Sequence, residues 1–142
     1  MHDEHFEDLR AWAKGSYTAE AATELLIRAF EGRFAAPGNS WIHKSETSGK
    51  HWIRFGEIPE HVDVLSGGES RFLRLVASIA AVEVSVDLGE VLPGLDRRVL
   101  ELVLAAVAHA GGSHEHSGFI TNADGSPTIE RLSTLYPWPN EG

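Results

Sequence analysis

The residues best suited to chemistry in this sequence are the histidines of His109…His114-Glu115-His116, with Asp124 further along the chain. The chain has no cysteine, so any metal must be held by histidine and carboxylate side chains. In an extended segment, residues i and i+2 point the same way. On that geometry His114 and His116 share a cation, His109 at the end of a helix adds a third ligand, and Asp124 adds a fourth. Neutral imidazoles with a carboxylate suit Zn²⁺, and also Ni²⁺ or Mn²⁺. The chemistry would be that of a His-based metal-dependent enzyme, a hydrolase in type. The bland account of the same residues is a solvated loop after a helix C-terminus, where the dipole favours histidine. His2-Asp3-Glu4-His5 is a weaker version of the metal set and reads as an acidic helix start.

A second set of residues would do recognition rather than catalysis. Trp41–Glu46 and His51–Phe55 flank Thr47-Ser48-Gly49-Lys50 and read as a β-hairpin with its turn at Ser48-Gly49. That turn sets Glu46 opposite His51 and Lys44 opposite Ile53. Alternation then places Ile42, Ile53 and Phe55 on a core face, and Trp41, His43, Trp52 and Arg54 on the other. Two tryptophans beside an arginine make an anchor patch for a protein partner or a second copy of the chain. If the hairpin is sandwiched instead, the tryptophans are core.

The third stretch is Leu65-Ser66-Gly67-Gly68-Glu69. Ser66 with Glu69 three residues on is a capping box, and Phe72, Leu75, Val76 and Ile79 follow at helical spacing, so a central helix starts here. The pentapeptide resembles the signature sequence of ABC-type ATPases. The resemblance implies that Ser66, Gly67 and Gly68 meet a nucleotide phosphate at the helix start. Val84-Ser85-Val86-Asp87 is similar to a degenerate Walker B strand. The chain departs from that family's pattern elsewhere: it has no Gly-x-x-x-x-Gly-Lys-Ser/Thr, and Leu88 follows Asp87 where an acidic residue belongs. The capping box accounts for the pentapeptide without a nucleotide. Across its length the chain also resembles small actinobacterial proteins that share the LSGGE, GLD and SHEHS landmarks, a resemblance that implies one compact domain and no particular activity.

The elements that must position these residues follow from apolar periodicity. A first helix runs from His2 to Lys14, with Phe6, Leu9 and Ala13 on one face and Gly15 as its stop. Thr18 caps a second helix through about Glu31, on which Ala22, Leu25, Leu26, Ala29 and Phe30 form an i, i+3, i+4, i+7 stripe. Pro59 starts a short helix over Ile58–Leu65. Val82–Leu88 is a short strand or an extended connector. Asp96 caps a long helix from Arg97 to Ala110, closed by Gly111-Gly112. Its nearly continuous apolar surface predicts burial on more than one face, in the middle of the bundle. Ser113–Ser126 reads as loop with a short strand at Phe119-Ile120, and Thr128–Leu135 as a short helix.

These elements amount to a mainly α, α+β fold over residues 1–142: one compact helical domain carrying one β-hairpin. At 142 residues the chain can bury a core without staples. A formal charge of −9 argues against nucleic acid as a partner, because phosphate binding needs clustered Lys and Arg. No apolar run reaches membrane-spanning length and no leader sequence is visible, so the expected compartment is the cytoplasm. No nucleophile elbow or other catalytic motif appears. The sequence therefore reads first as a non-enzymatic protein-interaction module, with the metal-dependent enzyme as the alternative.

Overall fold

A computed structural model describes residues 2–140; the side chains of His2 and Asp3 lie outside the described residues. The order is α1 (His2–Ala13), α2 (Tyr17–Arg28), a 3₁₀ segment (Ala29–Ala35), β1 (Ile42–Lys44), β2 (His51–Ile53), a 3₁₀ segment (Phe55–His61), α3 (Gly67–Ala80), α4 (Leu88–Val91), a 3₁₀ turn (Leu92–Gly94), α5 (Arg97–Ala110), a 3₁₀ turn (Ser113–Glu115), β3 (Ser117–Thr121) and β4 (Pro127–Arg131). The fold is α+β and mainly α, with two separate two-stranded antiparallel sheets.

The middle of the bundle is α2, which packs against α1, α3 and α5. Ala21, Ala22, Thr23, Leu25, Leu26 and Ile27 are all buried, so the small alanines let neighbouring helices approach on two sides. Ser16 caps α2 by accepting from Ala19 N–H, two residues earlier than the expected cap at Thr18. The helix also stops at Arg28. Phe30, Glu31 and Gly32 then run in left-handed conformation (φ 51°, 58° and 76°) and turn Phe30 back onto Phe34 and Phe72. Gly32 sits against Phe6, where an added Cβ would approach the ring to 2.6 Å.

The predicted central helix forms as α3. Ser66 Oγ accepts from Glu69 N–H at 3.3 Å, and Phe72, Leu73, Leu75 and Val76 enter the core. Asp96 caps α5 through Val99 N–H at 2.9 Å. Only one side of α5 is buried, however, through Val99, Leu102, Val103, Ala105 and Ala106. Leu100, Leu104 and Val107, at i, i+4 and i+7, face outward, with Val107 59% exposed. The expectation that this helix is the enclosed middle is thus corrected: that place belongs to α2, whose alanines admit three neighbours.

The first hairpin forms with a different register. Ile42 pairs with Ile53, His43 with Trp52 and Lys44 with His51, so the connection runs from Ser45 to Lys50 rather than through a two-residue turn. Ser45 N–H bonds Lys50 O, Gly49 N–H bonds Ser45 O, and Gly49 takes φ +75°. The slip is by two residues, which preserves the faces. The segment Val82–Asp87 makes no strand; Asp87 caps the short α4 instead, accepting from Gly89 N–H at 3.0 Å. The first-turn role expected for Pro59 is also displaced, because the helical turn there is 3₁₀ and begins at Phe55.

The C-terminal region departs most from the sequence reading. Where a helix is expected over Thr128–Leu135, the chain forms strand β4 as far as Arg131 and no helix after it, with β4 paired to β3 so that Phe119 faces Ile129 across the ladder. Asn122-Ala123-Asp124-Gly125 forms its turn: Gly125 N–H bonds Asn122 O, Gly125 takes φ +84°, and Asp124 accepts from Ser126. Turn chemistry decided this region, and a Thr/Ile/Arg alternation suits the strand that follows. No helix is long and apolar enough to cross a membrane, among the described residues.

Candidate metal centre and adjoining cleft

His109 lies on the last turn of α5, and Gly111 accepts the helix end by donating to Val107 O. Gly112 then takes φ +74° and lies against the Tyr17 ring, where an added Cβ would meet ring carbons at 3.2 and 3.3 Å. Only glycine meets both demands. The left-handed residue folds the chain back into the Ser113–Glu115 turn. Ser113 is buried there; its hydroxyl pairs with Thr134 Oγ1 at 3.1 Å and accepts Leu135 N–H at 3.1 Å. This anchor sets His114 directly over His109, with ring centroids 4.2 Å apart and planes 10° from parallel. The Tyr17 ring closes the pair edge-on, 4.9 Å from His114.

The carboxylate of the group is Glu20, on the first turn of α2. His109 Nε2–H donates to Glu20 Oε1 at 2.8 Å, while Gly15 N–H donates to Oε2 at 2.9 Å. Burial alone would push the Glu20 carboxyl up, but the Gly15 and His109 hydrogen bonds outweigh it and hold the group below its ordinary value. Glu20, His109 and His114 each offer a ligand atom, and the three atoms lie within 4.8 Å of one another, so the group could hold a metal ion. His114 Nδ1 is buried without a hydrogen-bond partner among the described residues. An imidazole nitrogen left unsatisfied beside a carboxylate fits a cation ligand.

Of the ligands expected from the sequence, His109 and His114 are brought together, and His116 and Asp124 are not. His116 is exposed beyond the turn, because residues 113–115 are 3₁₀ and not extended. Asp124 is spent on the β3–β4 turn, accepting from Ser126. Glu115 pairs with Arg131 on the surface. Glu20 escaped the sequence reading altogether, since a glutamate on the polar side of α2 carries no signal of what α5 brings to it.

Alongside this group lies a cleft of about 520 Å³, lined by Arg10, Lys14, Glu20, Thr23, Glu24, Arg28, His109 and Trp138. Glu24 is its organising residue. Arg10 donates to both Glu24 oxygens, at 2.6 and 3.1 Å, and Arg28 donates to Oε1 at 2.8 Å. Burial would raise the Glu24 carboxyl, but the two guanidinium groups outweigh it and hold it low. Trp138 packs under Arg28, 5.1 Å from guanidinium carbon to ring centroid, and Arg28 Nη1 donates to Pro139 O at 3.2 Å. The terminal tail therefore forms one wall.

The four residues of the expected hairpin patch separate. Trp41 is only 3% exposed and its indole N–H donates to Phe34 O at 2.9 Å, so its place on an open outer face is corrected: the turn before β1 inserts it into the core. Trp52 is half-buried, with His43 stacked on it at 5.0 Å and Trp12 of α1 at 6.3 Å. His43 and Arg54 both pair with Glu57, at 3.0 and 3.3 Å.

Ser66 and Gly68 line a smaller cleft of about 230 Å³ with Glu69 and Asp96. Ser66 Oγ already accepts from Glu69 N–H, and two carboxylates in the wall make a poor setting for phosphate. No protein-family model, curated protein or solved structure matches the chain.

Proposed function

We propose that the chain binds a divalent metal ion, Zn²⁺, through Glu20, His109 and His114, and acts as a cytoplasmic metal-dependent hydrolase. The observation that carries this reading is the convergence of two imidazoles and a carboxylate within 4.8 Å at the rim of a cleft. Two histidines and one glutamate are a donor set that leaves a coordination position for water, and a cation so held supplies a Lewis acid and an activated water. The test is calorimetric titration of chelator-treated protein with Zn²⁺, followed by turnover of p-nitrophenyl acetate and p-nitrophenyl phosphate. The reading expects one ion per chain and a turnover that is lost in Glu20→Gln. Failure to bind Zn²⁺ would overturn it, and binding without turnover would remove the hydrolase.

A second reading keeps the chain as a protein-interaction module that self-associates or docks on a protein partner. Its support is the β3–β4 hairpin, whose residues are exposed throughout β4 and nearly so in β3, with Phe119 79% exposed. A two-stranded sheet with no cover is marginal alone. Sedimentation of wild type and a Phe119→Ser, Ile129→Ser double variant tests it. A monomer in both, with no captured partner for either, removes it.

A further inference from the structure

We propose that the cleft beside Glu20 and His109 is a binding site for a small organic anion, recognised through an oxyanion group by Lys14, Arg28 and Thr23. The proposal rests on the metal reading only for the contacts nearest Glu20 and His109; the rest of the cleft argues for itself.

The argument is one of unspent hydrogen-bonding capacity. Every carboxylate oxygen in the cleft is already engaged. Glu20 accepts from His109 and Gly15, and Glu24 accepts from Arg10 and Arg28 at both oxygens. Each of the three Arg10 side-chain nitrogens already donates, Nε and Nη2 to Glu24 and Nη1 to Glu7 at 2.6 Å. What remains among the described residues is donors. The Lys14 ammonium has no hydrogen bond or ion pair, and Arg28 uses Nε and Nη1 but not Nη2. Thr23 is 1% exposed in the cleft wall, and its Oγ1 is buried with no hydrogen-bond partner among the described residues. The free donors, Lys14 Nζ and Arg28 Nη2, match a ligand that presents acceptor oxygens.

Charge points the same way. The chain carries −9 overall, yet the cleft sets Arg10, Lys14 and Arg28 against Glu20 and Glu24, leaving a positive excess. A divalent ion on the Glu20 group would deepen it. The volume of about 520 Å³ suits a metabolite-sized molecule rather than a lone ion. Trp138 adds a flat apolar wall on which the organic part can rest.

The experiment titrates full-length protein with inorganic phosphate and with malonate, each with and without Zn²⁺, and reads affinity by calorimetry. Saturable binding of at least one probe is expected, weakened about tenfold or more in Lys14→Glu, an exposed substitution that leaves the fold intact. Phosphate alone identifies a phosphate ester as the natural ligand, malonate alone a carboxylate, and both together support the shared oxyanion chemistry. Binding of neither probe overturns the proposal, as does binding that Lys14→Glu and Thr23→Val leave unchanged. The two readings fail separately: Zn²⁺ binding without either anion removes only this inference, and anion binding without Zn²⁺ removes only the metal.

Discussion

The ring of His114 lies flat on that of His109, 4.2 Å away and 10° from parallel, although the end of α5 and a reversal of the chain come between them. Stacking of this kind is made by backbone, not by the rings. Gly112 turns the chain in left-handed conformation, and Ser113 pins the turn to Thr134 and Leu135. The pair is thus presented to Glu20 ready-made, which keeps the ordering cost of a bound ion small.

The ligand set can be told apart by single substitutions. Zn²⁺ added at a hundredfold excess over its Kd should stabilise wild type by about 2.7 kcal/mol through mass action. His109→Ala, His114→Ala and Glu20→Gln should each abolish most of the shift in melting temperature. His116→Ala and Asp124→Asn should leave it intact, because both residues are spent or turned outward. A shift that depends on His116 and ignores Glu20 would restore the ligand set expected from an extended segment.

Gly112→Ala should separate the geometry of the site from its chemistry. It keeps all three ligands, but it forces a Cβ into left-handed backbone and against Tyr17 at 3.2 Å. A stability loss of about 1–2 kcal/mol is expected from strain at such a position. Zn²⁺ affinity should fall as well, while Gly111→Ala, which sits at φ −77°, should change affinity little. Equal effects of the two on affinity in calorimetric titrations would mean that the turn does not position His114.

The two hairpin tryptophans should respond differently to truncation. Trp41→Ala removes a buried ring and orphans Phe34 O, so a loss of about 3–5 kcal/mol is expected in denaturant melts. Trp52→Ala removes a half-buried ring stacked on His43 and tilted against Trp12, and about 1–2 kcal/mol is expected. If Trp52 costs as much as Trp41, the outer face of the hairpin is core as well.

The long helices α3 and α5 and the buried stripe of α2 are legible because each is announced locally, whereas the short α4 is not. Ser66 with Glu69 and Asp96 with Val99 are caps written in residue type, and the apolar stripes of α2 and α3 fix their buried faces. The left-handed run at Phe30-Glu31-Gly32 was not legible, since only the last of the three is a residue that signals it. Strand β4 is not legible, because Thr128–Arg131 suits more than one state and Asp124-Gly125 signals a turn without saying that strands flank it. Two of the three residues of the candidate metal group, His109 and His114, are visible in the sequence as histidines near the end of α5. Glu20 was not, because the contact spans 89 residues and depends on how α2 and α5 pack.

Glu24 should give the cleft a visible acid sensitivity. Its side chain is 16% exposed and holds both Arg10 and Arg28, which keep its carboxyl below the ordinary value of about 4.3 despite burial. A group whose pKa is lower folded than unfolded adds stability that is full above the unfolded value. That stability is lost as pH falls through the lowered folded value. In wild type, urea stability should therefore decline on acidification below about pH 5, with Glu24 contributing part of the slope. Glu24→Gln should be less stable at pH 7 by about 1–3 kcal/mol, since two guanidinium groups lose their shared partner at a half-buried site. The difference between variant and wild type should shrink towards pH 3, where the native carboxylate is itself being protonated. A difference that stays constant from pH 7 to pH 3 would mean that Glu24 acts by packing and hydrogen bonding alone, and that the charge of the cleft is not set by this pair of arginines.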